Sequence, residues 1–456
     1  MKRATFRLAI ALFLLVFGLA ACDHNSDQAC NDCPDANHDG GDDATADDDG
    51  APNLPDETAQ RGELANLSPP QRAGGCKDCV PVAPDPWPEP DLADPTTVSW
   101  DEDNYFLVDG QRFFPIGFYR VPTDAEGLEI YKSEGFNIGY GGPGCCGSGT
   151  QPQIDLLRLA QDKGVFLFLK PWSSLSETLT RPESELEAEL DERNGVGSLF
   201  GWHTFDEPAL HRPDHELTER VHYILNTYSA EHPDFLVEQA MEDFTMYSSD
   251  CSVFAVDPYP SPYIFLSMVK YSVLEARAAV EDEKPVMGVM QAFSWEWYEG
   301  RFDQPFHPDA WELRNMMWQF IVLGARGLLP WNYSGDYTIH AVPEIWDEFI
   351  THVGEINELF GVILADDAAI DLDPQTPYSV SMFDYVVKQE DTADWVLSVS
   401  TNERPMVINL DVSAFGENLC VVDYTTEETF TPDEDGRIDV LYDRYQVRIL
   451  EISPIE

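Results

Sequence analysis

Carboxylates and aromatic rings gather at a few places in this chain, each just after an apolar run. One stretch reads Phe200-Gly-Trp-His-Thr-Phe-Asp206-Glu207-Pro208. Others close on Lys170-Pro171-Trp172, on Glu238 and Gln239 with Glu242 and Asp243 beyond, and on Asp257-Pro258-Tyr259-Pro260. Two more close on Gln291, with Glu296 and Trp297 following, and on Trp331-Asn332-Tyr333. Carboxyl groups transfer protons, and the flat faces of Trp and Tyr stack on pyranose rings. Two carboxyls flanking one glycosidic bond are enough to hydrolyse it. Sugar chemistry is therefore the first expectation, with Glu207, Asp257 and Asp206 as catalytic candidates. Lys170, Trp172, Tyr259, Gln291, Glu296 and Trp331 are candidates for holding substrate. His203 lies within its apolar run and reads as a satisfied core histidine; Arg314 reads as structural. No H-E-x-x-H or similar cluster is present, so neither a catalytic metal nor a cofactor is expected.

These residues need a scaffold that brings them to one rim. Eight apolar segments read as strands: 114–119, 136–140, 165–170, 199–205, 235–239, 253–257, 286–291 and 327–331. Helical periodicity falls between them at 154–163, 213–228, 263–280, 309–323 and 343–360. The stretch after Glu238 is the weakest, with little helix before the sixth strand. Gly135 and Gly164 follow the last turns of their helices, where a left-handed residue is wanted. Asp109-Gly110 between two apolar runs reads as a hairpin turn. The alternation over about 260 residues fits an α/β fold, a (β/α)8 TIM barrel over 97–372, whose active site lies at the C-terminal ends of its strands. A doubly wound open sheet would call for G-x-G-x-x-G after a strand, and none follows one. Beyond residue 372 the pattern turns all-β, with strands at 378–383, 395–400, 406–410, 419–424, 438–441 and 446–452. It reads as a small β-sandwich over 373–456.

With strands counted, the chain resembles the clan A glycoside hydrolases, which are (β/α)8 barrels carrying a C-terminal β-sandwich. The resemblance rests on LVDGQRFFPIGFY at 107–119, GFN at 135–137, Asp206-Glu207-Pro208 on strand four and ARGLLPW at 325–331. It spans about residues 97–455. It implies that Glu207 is the general acid/base and that Asp206 contacts a sugar hydroxyl. The family places a nucleophilic Glu at the end of strand seven, where this chain has Gln291. Gln cannot form a glycosyl ester. The second carboxylate is then Glu296 reaching back, Glu242 or Asp243 after strand five, or Asp257 at the end of strand six acting as an inverting base across the site, and Asp257 is favoured. A substrate-assisted mechanism would need only Glu207 and an orienting carboxylate. Gln291 also supports an alternative, a carbohydrate-binding barrel without activity. A purely structural lipoprotein is a third reading, which the rim carboxylates and Trp residues argue against.

The N-terminus reads as an address. Lys2, Arg3 and Arg7 precede an apolar stretch from Leu8 to Leu19, too short to span a membrane comfortably. Leu19-Ala20-Ala21-Cys22 looks like a bacterial lipobox, which implies a signal peptide over 1–21 and lipidation of Cys22. The expected place is the bacterial cell envelope, periplasmic or cell-surface, tethered to a membrane. Residues 22–96, rich in Asp and Pro, read as a disordered spacer. Asp35, Asn37, Asp39 and Gly40 match the start of a calcium loop, but the twelfth position is Ala46 and the bidentate ligand is missing. Cys30-x-x-Cys33 and Cys76-x-x-Cys79 read as disulfides in an oxidising compartment. The vicinal Cys145-Cys146 stands in a Gly-rich loop.

The chain has 456 residues, 83 Asp plus Glu against 27 Lys plus Arg, and a formal charge of -56. Phosphate contacts need clustered cations, so nucleic acid is not an expected partner. The expected substrate is a neutral oligo- or polysaccharide, since so acidic a protein repels polyuronates at long range.

Overall fold

A computed structural model describes Pro81, Pro84, residues 87–92 and residues 95–455, except 142–149, 212, 214, 263, 296–305, 336, 377–378 and 391–392. The proposed lipobox and Cys22, the calcium-like loop, the paired cysteines at 30, 33, 76, 79, 145 and 146, and Glu296 lie outside the described residues.

The chain first forms a three-stranded antiparallel sheet of β1 (Val98–Trp100), β2 (Phe106–Val108) and β3 (Gln111–Phe113). Asp109 (φ 49°) and Gly110 (φ 83°) turn β2 into β3, as the Asp-Gly pair predicts. Seven parallel strands follow, in sequential order around one sheet. They are β4 (Gly117–Tyr119), β5 (Ile138–Gly141), β6 (Phe166–Leu169), β7 (Leu199–Asp206), β8 (Asp234–Glu238), β9 (Val253–Val256) and β10 (Val286–Gly288). Residues 327–331 close the ring. Leu328 N–H bonds Pro115 O at 2.9 Å, Gly117 N–H bonds Leu328 O at 3.0 Å, and Leu329 N–H bonds Gly288 O at 2.8 Å. This eighth segment is thus held on both sides, and the sheet is a closed barrel.

Helices cover the outside: α1 (Ala125–Ser133), α2 (Thr150–Lys163), α3 (Glu183–Asn194), α4 (His215–Tyr228), α5 (Met268–Ala279), α6 (Ala310–Val322) and α7 (Pro343–Glu358). Gly135 (φ 96°) and Gly164 (φ 72°) end α1 and α2 in the left-handed conformation expected of them. Asp309 and Glu312 form a capping box at the start of α6. Between β8 and β9 the described chain makes only short turns, among them Phe244–Tyr247, in keeping with the weak periodicity there.

Strand residues alternate between two apolar layers. One faces the helices. The other fills the barrel with Ile138, Phe166, Phe168, Phe200, Phe235, Ala255, Met287 and Leu329. From below, Phe106 and Phe113 of the hairpin enter this layer, with ring centroids 5.3 Å from Phe200 and Phe166 respectively. The Pro-rich segment at 87–92 also docks here. Trp87 Nε1 donates to Arg112 O at 2.8 Å, Gln111 Nε2 to Pro88 O at 2.7 Å, and Gln161 Nε2 to Leu92 O at 2.6 Å. A spacer running unbroken to residue 96 is therefore too long a reading. A Trp among prolines carries enough apolar surface to dock.

The C-terminal region is antiparallel. One sheet orders β11 (Asp366–Ala368), β12 (Phe383–Gln389), β13 (Asp394–Ser400), β18 (Val447–Pro454), β15 (Leu419–Asp423) and β16 (Thr429–Phe430). The other pairs β14 (Met406–Asp411) with β17 (Arg437–Tyr442). Phe383, Val396, Ile408, Val421, Val440 and Leu450 fill the space between them. The first long strand begins at Phe383, where the sequence reading ends one; Val380–Met382 is a 3-10 turn. Helix α6 joins barrel to sandwich. Asn315 Nδ2 donates to Ser400 O at 2.9 Å and to Tyr445 O at 2.8 Å. Arg314 pairs with Glu355 at 2.6 Å, the structural role expected of it.

Candidate active site

The C-terminal ends of the barrel strands form a mouth with a cavity of about 830 Å3. Tyr119 and Arg120 line it from the first strand, Tyr140 from the second, Lys170 from the third, His203 and Asp206 from the fourth and Trp331 from the eighth. A second cavity, of about 660 Å3, lies at the opposite end beneath Trp87, against Phe113 and Phe166. Lys132, Asn137 and Glu358 share its wall with the aromatic rings, and it is far from the carboxyls of the strand ends.

Glu207 follows β7 directly and takes φ 47°, a left-handed conformation uncommon for a side chain of its size. Such residues concentrate where function dictates the backbone. Its N–H bonds Val237 O of the neighbouring strand at 2.9 Å. Asp257 follows β9 and is 3 % exposed. The carboxyl groups of Glu207 and Asp257 lie within hydrogen-bond reach of each other, and they can bond only by sharing a proton. Burial, and then the charge of Asp206, push Glu207 up to about 7. Burial, with the charges of Glu207 and Asp206, holds Asp257 well above the usual carboxylate range. Two such groups buried side by side cannot both ionise readily, so the pair keeps a proton into the neutral range. Oδ1 of Asp257 is buried with no hydrogen-bond partner.

Glu238 is a third buried carboxyl, at the end of β8 and 1 % exposed. Its Oε2 accepts Ala209 N–H at 2.8 Å and its Oε1 accepts Ala240 N–H at 2.7 Å. Burial pushes it up to about 7 against the opposing pull of these N–H groups.

The other candidates fall into distinct places. Asp206 is exposed on the cavity wall, and Lys170 lines it from the adjacent third strand, between Asp206 and Tyr140 in strand order. Trp331 lies edge-to-face with Tyr119 at 5.2 Å, and the Arg120 guanidinium sits 5.2 Å above its ring. Tyr259 packs against Phe293 and Trp295, away from the residues that line the cavity. Trp172 is 3 % exposed within the layer between strands and helices, so the structure does not bring it to the cavity. Its place after a strand left its direction undetermined.

Gln291 is fully buried, and its amide is bound to backbone. Oε1 accepts Ser261 N–H at 2.9 Å, and Nε2 donates to Ser261 O at 2.8 Å and Phe293 O at 3.3 Å. Trp295 Nε1 donates to the same Ser261 carbonyl at 2.8 Å, and Ser261 Oγ donates to Glu312 at 2.8 Å. The strand-seven amide thus pins the loop that follows Asp257. Only a side chain with both a donor and an acceptor at its tip makes these bonds.

His203 is buried and stacked on Tyr140 at 4.2 Å, and its Nε2 meets the Tyr119 hydroxyl at 2.8 Å. Burial, then Lys170, push it down to about 3, so it is neutral. The Tyr119 hydroxyl feels Asp206, Asp257 and Glu207 together. Tyr119, Tyr140 and Arg120 were not among the sequence candidates, and Glu238 was placed at its strand end without a role. The first three also stand at strand ends, so weighing every strand terminus alike, rather than carboxylates and Trp first, would have found them. Among the described residues no three His, Cys, Asp or Glu side chains are arranged to hold a metal ion.

No family model matches this chain, and no curated protein sequence does. Solved structures do. A glycoside hydrolase family 5 protein from Bacteroides vulgatus aligns with a TM-score of 0.54 at 10 % identity, over 78 % of this chain and 94 % of that one. A structure described as a glycoside hydrolase gives 0.53 at 12 % identity, over 80 % and 97 %. The α-amylase from Geobacillus thermoleovorans, complexed with acarbose, gives 0.50 at 10 % identity, over 78 % and 100 %. The chain shares with these structures a (β/α) barrel followed by antiparallel sheets. At such identities the likeness is one of fold, and chemistry has to be argued from the mouth itself.

Proposed function

We propose that this protein is a glycoside hydrolase that cleaves an oligo- or polysaccharide by carboxylate catalysis. The Glu207–Asp257 pair carries the reading: two carboxyls in contact at the C-terminal mouth of a barrel, keeping a proton near neutrality. Glu207 is the less buried of the two and protonates the glycosidic oxygen. Asp257, at the end of strand six, takes the part of second carboxylate that Gln291 cannot take. Asp206 on the cavity wall holds a neighbouring hydroxyl. Trp331 and Tyr140 bound the space for a sugar ring, with Lys170 and Arg120 at its edge. The sequence features of residues 1–22 support an extracytoplasmic protein anchored to a membrane through lipid on Cys22.

The inactive alternative rested on Gln291. Its bonds to Ser261 give that amide a structural task, so its presence no longer speaks against catalysis.

The test is hydrolysis of a panel of plant, algal and bacterial glycans by wild type, Glu207→Gln and Asp257→Asn. Cleavage that both substitutions reduce by about 10²–10⁴-fold supports the pair. Cleavage that survives both overturns it. Glycan binding without cleavage would make this a binding protein.

A further inference from the structure

The buried carboxylate of Glu238 makes no use of its position at the mouth that a substrate could share. Both of its oxygens are taken by backbone N–H groups, Ala209 at 2.8 Å and Ala240 at 2.7 Å, and the residue is 1 % exposed. Ala209 is the second residue after Glu207. It lies in the single helical turn Pro208–His211 that follows directly on the left-handed Glu207. Few described bonds fix that turn otherwise: Glu207 N–H to Val237 O, and Leu210 N–H to Glu207 O. Glu238 stands one residue beyond Val237, so β8 grips the turn on both sides of Glu207.

We propose that Glu238 is a positioning residue: by holding Ala209 and Ala240 together it fixes the backbone that aims Glu207. The inference rests on the glycosidase reading and adds a residue to it. A left-handed residue of this size is strained and persists only where its surroundings over-determine it. A carboxylate accepting two N–H groups does that. An amide at the same place can accept only one of them, because its nitrogen has no acceptor lone pair. Glu238→Gln therefore keeps size and burial while releasing one end of the grip. A misplacement of the order of 1 Å at a reacting group costs about 10²-fold in rate.

The experiment compares wild type, Glu238→Gln, Glu207→Gln and the double variant. The substrates are phenyl and 2,4-dinitrophenyl glycosides of the sugar that wild type releases in the glycan panel. Phenolate is a poor leaving group that needs a proton; dinitrophenolate needs little help. The expected result for Glu238→Gln is a kcat loss of about 10²-fold on the phenyl glycoside. KM stays within about twofold on the phenyl glycoside, and kcat/KM for the dinitrophenyl glycoside, which reads the first step alone, loses far less. The double variant is expected to be no worse than Glu207→Gln alone, because the two act as a unit. Equal losses on both substrates, or losses that add in the double variant, overturn the positioning role and leave the acid in place. An unchanged leaving-group dependence in both single variants overturns Glu207 as acid. Should wild type cleave nothing, amide hydrogen exchange still decides the grip. Faster exchange at Ala209 or Ala240 in Glu238→Gln supports it, and unchanged exchange at both overturns it.

Discussion

The side-chain amide of Gln291 bonds both backbone groups of Ser261, thirty residues earlier in the chain. Ser261 lies four residues beyond Asp257, so the strand that lacks a nucleophile holds the loop of the carboxyl that stands in for one. Gln291→Glu is expected to restore no activity. It would set a carboxylate against the carbonyls of Ser261 and Phe293 in a fully buried place. Leaving such groups unpaired costs about 1–3 kcal/mol or more. Thermal melting of the variant should fall by at least several degrees, and kcat should fall with it. A gain in hydrolysis would show that Gln291 is a lost nucleophile.

Activity should decline on the alkaline side. The proton that Glu207 donates is held by a group raised to about 7, and the rate falls as pH rises through that value. Stability follows the same sign. A carboxyl raised on folding binds its proton more tightly in the native state, so native stability falls as pH rises from about 4.3 to about 7. Glu207→Gln removes that term. Its melting temperature should exceed that of wild type by about 2–4 °C at pH 8, with little difference at pH 4.5. A variant that melts lower than wild type at pH 8 would sink the assignment.

The anomeric outcome can also be derived. Inverting pairs stand ~6.5–9.5 Å apart to admit a water, and retaining pairs ~5–5.5 Å. Carboxyls within hydrogen-bond reach stand closer than either class, and the retaining separation is the nearer of the two. Retention of configuration is expected, with Asp257 as nucleophile. Proton NMR of the first-formed anomer reads this directly. Inversion would make Asp257 a base acting through water.

The segment at 87–92 should matter to stability and not to chemistry. Trp87→Ala removes an apolar contact and the bond to Arg112 O at the end of the barrel opposite the mouth. A loss of about 1–3 kcal/mol in denaturant unfolding is expected, with kcat unchanged. A protein started at residue 97 should show the same loss. An altered kcat would mean that the two ends of the barrel communicate.

The barrel was legible because its strands and most helices carry strong periodicities, and because Asp109-Gly110, Gly135 and Gly164 punctuate them. Helix α3 was not. Charged residues fill most of it, and Leu186, Leu190 and Arg193 are the side chains it buries. At the site, Glu207 and Asp257 could be placed on one rim by counting strands. The tasks of Gln291 and Glu238 could not, because their partners are backbone groups of Ser261 and Ala209. Backbone leaves no mark in the residue types at either position. Trp172 was misdirected for a related reason: a strand end gives a height in the barrel and not a direction.

Helix α6 touches the Asp257 loop through Glu312 and Ser261, and the sandwich through Asn315, whose amide caps the Ser400 and Tyr445 carbonyls. Barrel and sandwich thus share one rod as well as the chain that joins them. A chimera that grafted a foreign sandwich onto this barrel would strand that buried amide and unseat the helix whose first turn braces the mouth. Barrel and sandwich are accordingly expected to move through evolution as one inherited piece, and an engineer recombining such barrels would have to carry α6's companion with it.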